Sequence, residues 1–276
     1  MYVPGHNGSI GVFDSGIGGL SVANAISGLL PAENLLYVAD TAFAPYGART
    51  DAEVARYSHA ITEFLLGAGA KLIVVACNTA TAIAIDGLRT AYPDVDFVGL
   101  EPAVKPAATG AAIGVLATTV TLRSPRYVAL REKYLAGRPV WENPCTELVP
   151  LIENYGPGSA EVRQYLGALL ATAGDLDTVV LGCTHYPLVA DDIRKVLPGE
   201  ARIIDPSIAA ARQVKRLLER KSLLAPATDN PVSVYDFFSS GGTSALQRTL
   251  LSLPQLNLRR RWVVPDVTIT RSAELE

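Results

Sequence analysis

Cysteine, histidine and long apolar runs are all scarce in this 276-residue chain. Its three cysteines, Cys77, Cys145 and Cys183, are too few for a disulfide scaffold and fit a reducing compartment, so a cytoplasmic location is expected. The uncharged apolar stretch 72–85 has 14 residues and is broken by Asn78, Thr79 and Thr81. A membrane-spanning helix needs about 20. The opening MYVPGHNGS has neither the cationic nor the apolar segment of a secretory signal. A basic excess is also missing. Against 24 Lys and Arg stand 27 Asp and Glu, a net charge of −3, so no nucleic-acid partner is expected. Apolar residues at 49% and charged residues at 18% exclude intrinsic disorder.

Short Val/Ile/Leu runs alternate with longer amphipathic ones. Strands are predicted at 10–13, 35–38, 72–76, 96–100, 113–117, 178–182 and 202–205, several without polar alternation, as in strands buried on both faces. Helices are predicted near 17–29, 51–67, 79–91, 122–136, 159–173, 188–197 and 207–221, with Asp51 and Ser159 as N-caps. Alternating βα units imply parallel sheets covered by helices, with ligands beyond the strand C-termini. The segment LIVVACNTATA (72–82) is echoed 106 residues later by TVVLGCTHYPLV (178–189). The expected fold is therefore α/β, with two pseudo-symmetric lobes, each a mostly parallel sheet flanked by helices, and the active site between them. Residues 1–101 with 208–276 form the first lobe in this reading, and 102–207 the second.

Four strand-end motifs carry chemistry. DSGIGG (14–19) offers backbone amides to an anion, with Asp14 to orient an amine or accept a proton. It lacks the third glycine of a dinucleotide fingerprint and the Lys-Ser/Thr of a phosphate loop. DTAFAPYGART (40–50) places Tyr46 and Gly47 in a turn whose amides suit a carboxylate. Cys77 and Cys183 each follow a buried strand and precede a predicted helix, whose N-terminus lowers a thiol pKa. His185, two residues past Cys183, reads as a proton carrier. A zinc site would need ligands that nothing nearby supplies. Glu153, closing LVPLIE, is either a surface residue or a partly buried carboxylate with a raised pKa. Cys145 has no such setting and reads as structural.

Two thiols at matching strand ends suit proton removal from one face of a carbon and proton return to the other. None of the six lysines sits in a Gly/Ser strand-end setting that would cradle a pyridoxal phosphate, so no cofactor is expected. A Cys183–His185 thiol hydrolase, in which Cys77 is incidental, remains open at this point.

The segments GVFDSGIGGLSV (11–22), ADTAFAPYGART (39–50), VVACNTATA (74–82), GLEPAVKPA (99–107), GVLATTVTLRSPRY (114–127), LVPLIE (148–153), LGCTHYPLV (181–189) and IDPSIAAA (204–211) closely resemble the glutamate racemases. These are cofactor-independent enzymes of the aspartate/glutamate racemase superfamily that act in bacterial cell-wall synthesis. Aspartate and hydantoin racemases share the fold and cysteines but match the PYG and CTHYP segments less closely. The resemblance implies that Cys77 and Cys183 are the two bases, Asp14 assisting the first and Glu153 with His185 the second. It implies that Asp14, Ser15, Tyr46, Gly47, Asn78, Thr79, Thr118, Thr121, Thr184 and His185 hold glutamate. It further implies a homodimer, with no metal and no membrane partner. DFFSSGGTSALQRTL (236–250) is similar to the family's late strand and Ser-Gly turn, with Ser239 where Thr is common. Arg259, Arg260 and Arg261 read as solvated surface.

Overall fold

The computed structural model describes residues 8–197, 199–226, 233–253 and 256. His6 and Arg259, Arg260 and Arg261 lie outside them. The order is β1 (Ser9–Asp14), α1 (Leu20–Leu29), β2 (Leu35–Ala39), α2 (Asp51–Gly67), β3 (Ala70–Val75), α3 (Asn78–Ala91), β4 (Phe97–Gly99) and α4 (Val104–Ala107). There follow β5 (Ile113–Ala117), α5 (Thr119–Arg123), α6 (Pro125–Leu135), β6 (Val140–Asn143), α7 (Leu148–Tyr155) and α8 (Ala160–Leu170). The described chain closes with β7 (Thr178–Gly182), α9 (Ala190–Val196), β8 (Arg202–Ile204), α10 (Ser207–Arg220), β9 (Tyr235–Ser239) and α11 (Ser244–Ser252).

These strands build two sheets, β4-β3-β1-β2-β9 and β6-β5-β7-β8. Every pair is parallel, so all C-terminal ends in a sheet point the same way. Parallel pairing requires crossover helices and buries both sheet faces. This accounts for the continuous apolar runs: every residue of β2, β3, β5 and β7 is buried. The fold is α/β with two helix-flanked parallel sheets, as the alternating pattern predicts. One apolar cluster joins the two sheets, running from Val12, Tyr37 and Val74 to Leu116, Ile152 and Leu181. Separate clusters cover the far faces, one under α2 and α3 and one under α4 and α6. Among the described residues, no helix is long and apolar enough to cross a membrane.

Local chemistry fixes the boundaries. The α2 cap is Thr50 rather than Asp51. Thr50 Oγ1 accepts from Glu53 N–H, and the Glu53 carboxylate accepts from Thr50 N–H in return. Ser159 caps α8 as expected. The helix predicted at 122–136 splits at Ser124, because Pro125 excludes the α conformation from the residue before it. Ser124 is extended and caps α6. Strand β6 and the short α4 carry too little pattern to be read in advance. The former is half-buried at a sheet edge.

Candidate active site

Both thiols sit just beyond interior strands, Cys77 after β3 and Cys183 after β7. Together they line one cavity with Ser15, Pro45, Tyr46, Gly47, Asn78, Thr79, Thr118, Val149, Thr184 and His185. Its volume of about 20 Å³ accommodates about one water molecule. Asp14, Thr121 and Glu153 stand one layer back. Thr121 reaches the cavity through Thr118, whose Oγ1 lies 3.0 Å from its own. Pro45 and Val149 are lining residues that sequence reasoning missed, since neither has a side chain that signals chemistry.

Cys77 is the N-cap of α3, and its sulfur accepts from Ala80 N–H at 3.5 Å. Ser15 Oγ is 3.9 Å from the same sulfur. The expected lowering of its pKa is overturned. Burial pushes the thiol well up, the Asp14 charge adds to this, and the Ala80 amide offsets only part. Cys183 differs from the sequence expectation in another way. A turn and a 3₁₀ segment, Tyr186–Val189, separate it from α9. Its partner is instead His185 Nδ1, at 3.9 Å.

His185 Nε2 lies 2.8 Å from Glu153 Oε1, so thiol, imidazole and carboxylate form a chain. Burial alone disfavours the imidazolium, but bonds to Cys183 and Glu153 and their charges raise its pKa well above the usual value. Nδ1 faces the Cys183 thiol and Nε2 the Glu153 carboxylate, so the ring stands between a proton donor and an acceptor. Glu153 is partly buried, the second of its two expected settings, but its pKa moves the other way. Burial would raise its pKa, but the His185 bond and charge and the Ile17 amide outweigh that and lower it. Glu153→Gln should therefore drop the His185 titration midpoint, followed by imidazole NMR. An unchanged midpoint would remove Glu153 from this chain.

The glycine turn after β1 has a different use from the expected anion site. Its amides serve the protein's own carboxylates: Gly16 and Gly19 N–H donate to Asp14 Oδ2 (3.3 and 3.0 Å), and Ile17 N–H to Glu153 Oε1 (3.4 Å). Asp14 Oδ1 accepts from Thr184 Oγ1 at 3.4 Å, which links the two sheets across the site. Burial raises the Asp14 pKa, with His185 and the glycine amides opposing. The glycines also leave room. A Cβ on Gly16 would stand 2.0 Å from Glu153 Oε1, and one on Gly18 2.3 Å from His185 Nδ1.

Polar groups without partners mark where a ligand fits. Asn78 is 4% exposed, and among the described residues neither Oδ1 nor Nδ2 has a hydrogen-bond partner. Tyr46 and Gly47 open a 3₁₀ turn, Tyr46–Ala48, whose first amides have no acceptor within the turn. Thr79 Oγ1 and Thr118 Oγ1 meet across the cavity at 3.1 Å. Among the described residues, no cluster of three metal-ligating side chains is present.

Residues 10–214 match the Asp/Glu/Hydantoin racemase family. A glutamate racemase of Pseudomonas syringae pv. tomato is 47% identical over 235 residues, covering 82% of this chain and 85% of that protein. Among solved structures, glutamate racemase from Francisella tularensis in complex with D-glutamate superposes with a TM-score of 0.79 at 28% identity, over 96% of this chain and 98% of that one. The Escherichia coli glutamate racemase, solved with L-glutamate and the activator UDP-MurNAc-ala, gives a TM-score of 0.78 at 31% identity, over 92% and 97%. With its sequence and fold matched over most of their length, the chain belongs to the Asp/Glu/hydantoin racemase family of isomerases, among the glutamate racemases.

Proposed function

We propose that this protein interconverts L- and D-glutamate by proton transfer at both faces of Cα, with Cys77 and Cys183 as the two bases. The observation that carries the reading is the arrangement of the thiols: one from each sheet, both facing a single cavity. One thiolate takes the Cα proton while the opposite thiol donates its own, so the stereocentre inverts and the two sulfurs exchange protonation states. Asp14 assists Cys77, and the Glu153–His185 pair takes up or returns the proton at Cys183. By resemblance, Cys183 works on L-glutamate and Cys77 on D-glutamate. Asn78, Thr79, Thr118, Thr184 and the amides of Tyr46 and Gly47 supply donors to the substrate carboxylates. Donors fixed in a dry site favour the carbanion-like transition state.

The lobes in this reading are 1–101 with 208–276, and 102–207. A cavity with room for about one water is too small for glutamate, so the lobes part to admit it and close to expel water. The family resemblance adds a cytoplasmic homodimer that supplies D-glutamate for peptidoglycan.

Isotope labelling in deuterated water tests the mechanism, with L-glutamate and no added cofactor. Thiol protons exchange with solvent, so at conversions below ~10% the D-product should carry deuterium at Cα while the remaining L-substrate keeps protium. A single base swinging between faces would return protium to the product. A thiol hydrolase would leave Cα unlabelled, and a clear preference for aspartate would move the protein to a related racemase.

A further inference from the structure

We propose that Asp40 and Ser240 are positioning residues for the Tyr46–Gly47 turn, so that edge strand β9 governs how tightly the site grips a carboxylate. This rests on the reading of that turn as a glutamate carboxylate site. Asp40 is fully buried beyond the end of β2 and takes no part in the proton transfers above. Both its oxygens are engaged. Tyr46 OH donates to Oδ2 and Ser240 Oγ to Oδ1, each at 2.6 Å. Burial and the Asp40 charge push the Tyr46 hydroxyl well up, which keeps it the donor. Charge-assisted O–H···O⁻ bonds of this length are the strong class.

The rest of the clamp follows from topology. β9 lies beside β2 in parallel register, Ala39 opposite Ser239, so both strands end at the same level. Ser240 Oγ accepts from Ala42 N–H (3.2 Å), and Ser239 Oγ lies 2.7 Å from Thr41 Oγ1. The approach at Gly241 is close enough that a Cβ there would be 2.9 Å from Ala42 N. Segment 40–47 is thus held at its base by residues about 200 positions away, while its tip, Pro45, Tyr46 and Gly47, lines the cavity. Tyr46 is the link, with its ring buried, its hydroxyl on Asp40 and its backbone in the turn.

The test compares wild type with Asp40→Ala, Asp40→Asn, Tyr46→Phe, Ser240→Ala and the Asp40→Ala/Tyr46→Phe double variant. Each is assayed for glutamate KM and kcat, for D-glutamate Kd by calorimetry, and for Tm. A group acting through substrate binding should raise KM and Kd roughly tenfold in Asp40→Ala with a smaller change in kcat. Asp40→Asn keeps an acceptor for Tyr46 and should restore most of the affinity. Tyr46→Phe should give part of the Asp40→Ala loss, and the double variant should be no worse than Asp40→Ala, since the contact that Tyr46→Phe removes is one of the two that Asp40→Ala removes. Ser240→Ala should give a smaller rise in the same direction. Unchanged KM and Kd, a fall in kcat alone, or additive losses in the double variant would overturn the proposal. Should Asp40→Ala fail to fold, unchanged affinity in both Tyr46→Phe and Ser240→Ala would do so. A wild type that binds glutamate without racemising it would sink the racemase reading instead, while Kd still tests the clamp.

Discussion

Replacing either Cys77 or Cys183 with alanine should cut glutamate racemisation by at least ~10²–10⁴-fold, the cost of losing a general acid or base. The two losses should not add, because one missing base already stops the exchange. Cys145→Ala is the internal control. Burial raises the Cys145 thiol to about 12, its sulfur donates to Asn143 O at 3.4 Å, and it does not line the cavity. It should change turnover by only a few-fold. Steady-state rates for both enantiomers decide. A Cys145→Ala enzyme as impaired as the others while still folded, or a robustly active Cys77→Ala enzyme, would show that the wrong thiols have been chosen.

A second large effect is expected at Gly18, which carries no reactive group. An alanine Cβ there would lie 2.3 Å from His185 Nδ1, 2.6 Å from Thr184 Oγ1 and 2.7 Å from the His185 backbone nitrogen. A side chain can swing aside, but the backbone atom can yield only if the whole Thr184–His185 turn shifts. Overpacking of this kind costs about 1–3 kcal/mol. Moving His185 by about an ångström can cost ~10²-fold in rate, because proton transfer depends on donor placement. Gly167 is the contrasting site, since nothing lies within 4 Å of a Cβ added there in the body of α8. Gly167→Ala should keep full activity and gain up to ~1 kcal/mol from helix propensity. Thermal unfolding with kcat for both variants checks this. A fully active Gly18→Ala enzyme would mean that the close approach of the two sheets is dispensable.

How far the sequence could be read depended on whether the signal was local. Strands such as LIVVA and TVVLG announce themselves by unbroken apolar runs, and α2 by its periodicity, so the sheet interiors and both cysteine positions were legible. The roles of the amides in DSGIGG were not. Whether Gly16 and Gly19 serve a ligand or Asp14 depends on how the chain folds back on itself, and Ile17 finds its acceptor 136 residues away. The thiol at Cys77 shows the same limit. A helix N-terminus is visible in sequence, but burial beside Asp14 is a property of the packed interior, and there it dominates. Glu153 read as either surface or raised, and the His185 contact that settles it spans 32 residues. Asp40 opens the DTAFAPYGART motif but was given no role, because one of its two partners, Ser240, lies 200 residues away.

Strand order has a consequence for synthesis. Four strands of the first sheet are complete by Gly99, yet its edge strand ends only at Ser239, after the second sheet has finished at Ile204. On the ribosome, where domains fold as units while the chain emerges, the sheet begun first is finished last. Until then β2 carries an open edge able to pair with another chain. Every side chain that lines the cavity has already been translated by residue 185. A message cut short between those points would yield a polypeptide with both thiols, Glu153 and His185, but without Ser240 to brace Asp40. Such a product would be a hazard for aggregation before it was an enzyme.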